Sequence, residues 1–134
     1  MSNNQMYIVN NCIEILNAFF NEFANRRAEN IKKLCTNDFL LIENGEIWDF
    51  EILKSKISEL DHTYNRKNIL EITKSDNENE YCSIIYYNKA EIIYQEHFTK
   101  YKWIENALFI KTENAWKIKI INSCMIESNH EKLS

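Results

Sequence analysis

The apolar residues of this chain change rhythm near residue 62. Before it they recur at three- and four-residue spacings, the period of a helix; after it they alternate, the period of a strand. A chain with helices first and strands later has few ways to bury both. The helices must share one face of a mostly antiparallel sheet, which is an α+β arrangement. A sheet of long, twisted strands covered this way leaves a conical space between the layers.

The helical half reads as follows. Ile8, Val9, Cys12, Leu16, Phe19, Phe20 and Phe23 form a wide stripe, predicting a helix over 8–24. Polar residues 25–30 break it, and Ala28, Ile31, Leu34 and Cys35 are the inner positions of a short second helix. Phe39 to Glu43 reads as a strand, Asn44-Gly45 as a tight hairpin turn, and Glu46 to Trp48 as the returning arm. Asp49 is placed to cap a third helix over 50–61, with Phe50, Leu53, Ile57 and Leu60 inward.

Four extended segments follow, at 66–75, 80–94, 96–111 and 115–127, rich in Ile and Tyr. The polar residues 128–134 read as a frayed tail. On the last strand the alternation groups Trp116, Ile118, Ile120, Asn122 and Cys124 on the inner face. Pairing Ile110 with Trp116 brings Ile104, Asn106, Leu108 and Ile110 to that face too. Asn106 and Asn122 are then diagonal neighbours, roughly 7–8 Å apart.

Composition narrows the function. The 134 residues suit a single domain spanning 1–134, and 45% hydrophobic residues are enough for a core. A net charge of −4 argues against nucleic acid as partner, since such binders carry a basic excess. One Gly and no Pro exclude a glycine-rich phosphate loop. No apolar run approaches the length of a membrane span, and the N-terminus lacks a secretory leader's basic start. Cys12, Cys35, Cys82 and Cys124 are scattered with no CxxC, which reads as reduced core thiols in a cytoplasmic protein. No two histidines have ligand spacing, so neither a metal nor another cofactor is expected.

Three segments together resemble the nuclear transport factor 2-like superfamily, particularly its small SnoaL-like bacterial members of unknown function. They are the Phe-rich first helix running on to Thr36-Asn37-Asp38-Phe39, the stretch Glu43-Asn44-Gly45-Glu46-Ile47-Trp48-Asp49-Phe50, and Ile104–Lys111 with Glu113-Asn114-Ala115-Trp116-Lys117-Ile118 and Asn122 to Met125. Asn114 stands where relatives carry Gly, and Asn tolerates the left-handed conformation. The resemblance implies a cone-shaped, cystatin-like half-barrel, three helices packed on a curved sheet, an apolar cavity, and a homodimer formed through the sheet. It implies a carboxylate base near Glu43. The tyrosine that relatives with isomerase activity carry on the first helix is absent here, where Phe19 and Phe20 stand.

The candidate site residues follow. Glu43 and His97 are the candidate bases, His97 by analogy with dehydratases that join a His and an Asp to tyrosine hydroxyls, although no Asp lies near His97 in the sequence. Asn106 and Asn122 would orient a polar group of a ligand. Trp48, Tyr86 and Phe19 are the aromatic candidates for the pocket wall. His62 reads as a helix-end residue and His130 as part of the tail. The expected function is binding of a small apolar molecule between helices and sheet. The alternatives are a lyase, isomerase or cyclase working through Glu43 or His97, and a non-catalytic dimeric assembly module.

Overall fold

Ser2 starts the first helix. Its hydroxyl accepts from the Gln5 amide at 3.2 Å while Gln5 Oε1 accepts from the Ser2 amide at 2.9 Å, a reciprocal cap. The helix therefore begins well before residue 8, and α1 runs Asn3–Ala24. The computed structural model describes residues 2–60, 65–113 and 115–132. Elements α2 (Ala28–Lys33), β1 (Cys35–Glu43), β2 (Glu46–Asp49) and α3 (Phe50–Ser58) follow, then β3 (Asn65–Asn77), β4 (Tyr81–Tyr94), β5 (His97–Lys111) and β6 (Trp116–Lys132). Asn44 and Gly45 sit at φ 49° and 88°, as a tight hairpin turn requires. Asp49 caps α3 by accepting from the Ile52 amide at 2.9 Å. His62 and Asn114, with the readings placed on them, lie outside the described residues.

One six-stranded sheet has the order β2-β1-β6-β5-β4-β3. Every neighbouring pair is antiparallel except β1 with β6. The three helices pack on one face of this sheet, giving the expected α+β architecture. Cys12, Leu16 and Phe19 of α1, Ile31 of α2 and Leu53 of α3 meet Phe39, Ile84, Tyr86, Phe109, Ile118 and Ile121 from the strands.

Two features depart from the expected sheet. The segment expected as a frayed tail continues as strand to Lys132, held by antiparallel pairing with His97 to Lys102. The inner face of β5 is Trp103, Glu105, Ala107 and Phe109, not Ile104, Asn106, Leu108 and Ile110. The hairpin pairs Lys111 with Trp116, and a bulge lets Leu108 pair with Ile120 but Phe109 with Ile118. An inserted residue reverses alternation beyond it, so Ile121 and Ser123 turn inward while Asn122 and Cys124 turn outward. Cys124 is accordingly exposed; Cys12, Cys35 and Cys82 are buried thiols as expected. No helix among the described residues is long and apolar enough to cross a membrane.

Candidate functional site

Alternation brings a row of polar side chains to the inner face. Glu43, Ser123, Glu105 and Tyr86 are successive cross-strand partners on β1, β6, β5 and β4. Glu105 is only 5% exposed. Its Oε2 accepts from Ser123 Oγ at 2.6 Å and its Oε1 from Asn88 Nδ2 at 3.2 Å. Asn88 Oδ1 in turn accepts from Asn68 Nδ2 at 2.8 Å, and Asn68 Oδ1 from Arg66 Nε at 2.9 Å. A continuous chain of hydrogen bonds thus runs from a buried acid on β5 to a cation on the outermost strand, β3. The Arg66 guanidinium lies 4.7 Å from the Phe23 ring centre and 5.4 Å from that of Trp103.

Burial sets the chemistry of this row. It pushes the Glu105 carboxyl above the usual carboxylate range; hydrogen bonds from Ser123 and Asn88, with the nearby Tyr86 hydroxyl, act the other way, and the charge of Glu43 adds to the rise. Glu43 is raised by burial too, while the nearby Arg66 charge pulls it down. Tyr86 is raised well above its ordinary value by burial, then by the charge of Glu105. Tyr86 Oη lies near Glu105 and Trp103 Nε1 near Glu43, yet neither forms a hydrogen bond of good geometry. The row therefore combines a desolvated acid, a second carboxyl with a cation nearby, and two buried donors without a well-formed bond. Such a set can hold a polar group of a ligand or move a proton.

A groove of about 440 Å³ opens at the Arg66–Asn68 end of the hydrogen-bonded chain, between the C-terminal half of α1 and β3. Asn17, Phe20, Asn21, Arg66 and Asn68 line it. Arg66 lines the groove and also lies over the Trp103 ring, and its charge is felt by Glu43.

The residues singled out from the sequence scatter over this frame. Glu43 lies on the inner face, in the polar row. Tyr86 lies in it too but is completely buried, and Phe19 is a core residue packed on Phe20 and Phe39. Trp48 is half-buried on β2, donating to Glu46 at 2.9 Å with Lys56 over its ring. Asn106 and Asn122 pair directly, not diagonally, and on the outer face of the sheet rather than the inner. There Asn106 Nδ2 donates to Ser83 Oγ at 3.0 Å. His97 lies beyond the polar row, against His130.

Sequence reasoning missed Glu105, Asn88, Asn68, Arg66 and Ser123. The available signal was Asn88 and Glu105 interrupting apolar runs. It was masked because Asn106, beside Glu105, interrupts an equally apolar outer row.

No protein-family model matches the chain, and no curated protein matches it. Solved structures do. The chain is 16% identical to an NTF2-like protein of unknown function from Prochlorococcus marinus; the match covers 96% of this chain and 97% of that one, with a TM-score of 0.75. It is 8% identical to the CaMKII hub homology domain of Chlamydomonas reinhardtii, over 90% and 99% of the two chains, with a TM-score of 0.80. A hexachlorocyclohexane dehydrochlorinase, LinA-type3 from Novosphingobium barchaimii, is also 8% identical over 95% and 92%, with a TM-score of 0.76. At these identities the likeness is one of fold. The chain has the nuclear transport factor 2-like fold that its sequence resembles.

Proposed function

We propose that this chain, with its nuclear transport factor 2-like fold, binds a small, mostly apolar molecule carrying one polar group. The observation that carries the reading is Glu105. A carboxyl buried without a cation in contact costs stability that an apolar side chain of similar size would not. A desolvated acid at the end of a hydrogen-bonded chain that reaches a groove supports a binding site. In this reading the apolar body of the ligand lies along Phe20 and Ala24 in the groove. Its polar group meets Arg66 and Asn68, with Glu43 and the Trp103 indole beside them.

A panel of steroids, aromatic ketones and fatty acids, screened by thermal shift, tests the proposal. A ligand at about a hundred times its Kd adds roughly 2.7 kcal/mol, which is several degrees in a domain of this size. The expected result is a saturable shift with at least one class, weakened at least tenfold in apparent affinity by Asn68→Ala. A flat response across the panel, or a shift indifferent to Asn68 and Glu43, overturns it.

A second reading, self-association through the sheet, is favoured by the outer face. Ile85, Ile104, Asn106, Asn122 and Cys124 surround a depression of about 360 Å³ there, and Ile104 is 39% exposed. Patches of this kind on a sheet suit a second copy of the same face. Sedimentation velocity should show a dimer that Ile104→Asp converts to monomer; a wild-type monomer at the highest soluble concentration removes this reading.

A further inference from the structure

Beyond Ala90 and Trp103 the sheet outruns its helices. No side chain from Glu91 to Lys102, or from Cys124 to Lys132, is buried. On this arm Thr99 of β5 and His130 of β6 are direct cross-strand partners, and His97 lies diagonal to His130 on the same face. His130 Nδ1 is 2.8 Å from Thr99 Oγ1, and His130 Nε2 is 3.0 Å from His97 Nδ1. Two imidazole nitrogens that close cannot both present bare lone pairs. One of them donates an N–H to the other, and a metal ion that displaces this proton would find both lone pairs turned toward it.

The geometry points to a divalent-metal site at His97 and His130, of the class that prefers imidazole, Zn²⁺ or Cu²⁺. Imidazole binds such ions at about 2.0–2.1 Å, so two nitrogens on one ion lie roughly 2.9 Å apart at right angles and about 3.3 Å apart in a tetrahedron. The observed 3.0 Å falls within that range, so the strands need not move. Thr99 supplies the other element of such sites. A hydroxyl on the remaining nitrogen of His130 fixes the ring and turns Nε2 toward its partner, as outer hydrogen bonds do for metal-bound histidines. A depression of about 410 Å³, lined also by Tyr94 and Tyr101, leaves room for water ligands. Among the described residues no group of three His, Cys, Asp or Glu side chains gathers around an ion. In this proposal water fills the remaining coordination positions, which makes the site open and exchangeable. Lys132 faces His97 in register, and its charge opposes a cation there.

The signal was beyond the sequence because His97 and His130 are 33 residues apart and meet only through the register of β5 with β6. The test is Zn²⁺ alone, titrated into the chelator-treated full chain by calorimetry. One ion per chain is expected to bind, at least tenfold more weakly in His97→Ala and in His130→Gln, and unchanged in a His62→Ala control. Lys132→Ala should tighten it, and lower pH should weaken it, because protons compete for the same nitrogens. Circular dichroism confirms that each variant is folded. Absence of saturable binding overturns the proposal, and so does binding that survives both histidine substitutions; either result leaves the pair sharing a proton.

Discussion

Replacing Glu105 separates a buried acid that is held by hydrogen bonds from one that merely fills space. In Glu105→Ala, Asn88 Nδ2 and Ser123 Oγ lose the partners they now reach at 3.2 and 2.6 Å. Each buried polar group left unpaired costs about 1–3 kcal/mol, so roughly 2–6 kcal/mol is lost before any cavity term. Unfolding entropy near 2.1 cal/mol/K per residue puts that at a fall in Tm of about 7–20 °C for this chain. Glu105→Gln behaves differently. Its carbonyl can accept from Asn88 and its amide can donate to Ser123, so both contacts survive without a titrating group.

The pH dependence carries the decisive sign. Burial raises Glu105 in the folded state above its value in the unfolded chain, so the native protein holds the proton more tightly. Its contribution is harmless below the unfolded value, near pH 4.3, and becomes increasingly destabilising as pH rises through the folded value. Glu105→Gln should therefore gain on the wild type between pH 4 and pH 7, a range that opens at the unfolded value, because only the wild type must give up a proton that its folded state holds more tightly. Urea unfolding followed by circular dichroism, at both pH values and on all three proteins, measures this. The reasoning is refuted if Gln destabilises as much as Ala, or if the Gln–wild-type difference shrinks as pH rises. Either outcome would mean an ionised Glu105 whose charge the fold stabilises.

Other consequences are simpler. Asp49→Ala removes the cap on the Ile52 amide and should cost about 1 kcal/mol in urea unfolding, with Asp49→Asn restoring most of it. Phe19→Ala, at a fully buried position against Phe20 and Phe39, should cost about 3–5 kcal/mol, far more than its removal from a pocket wall would. A thiol reagent at pH 8 should modify Cys124 quickly and leave Cys12, Cys35 and Cys82 until unfolding, because those three are buried out of the reagent's reach and burial also pushes the Cys35 thiol up to about 12.

Local chemistry made much of this molecule legible in advance. The stripe from Ile8 to Phe23 demanded a helix with one buried face. Asp49 could satisfy the amides at the start of α3, and Asn44-Gly45 could adopt the positive φ of the hairpin. The change of period near residue 62 placed the strands after the helices and so decided the α+β class. Each of these depends on neighbours within a few positions, where propensity and capping act. The N-terminal start of α1 was equally local, but its signal was Ser2 with Gln5, a capping pair rather than an apolar stripe.

Which way the strands face was decided elsewhere. Both faces of β5 are apolar, one for the helices and one outward, so alternation alone cannot distinguish Glu105 from Asn106. The hairpin register and the bulge opposite Leu108 and Phe109 make that choice, and they depend on how β5 and β6 fit the helices. The polar row has the same origin. Glu43, Arg66, Asn68, Asn88, Glu105 and Ser123 come from five strands and share no spacing in the chain. So does the His97–His130 pair, formed where two strands continue past the core. Periodicity determined that this chain makes helices and a sheet; only the closed fold, by setting register across that sheet, determined which polar side chains share its interior.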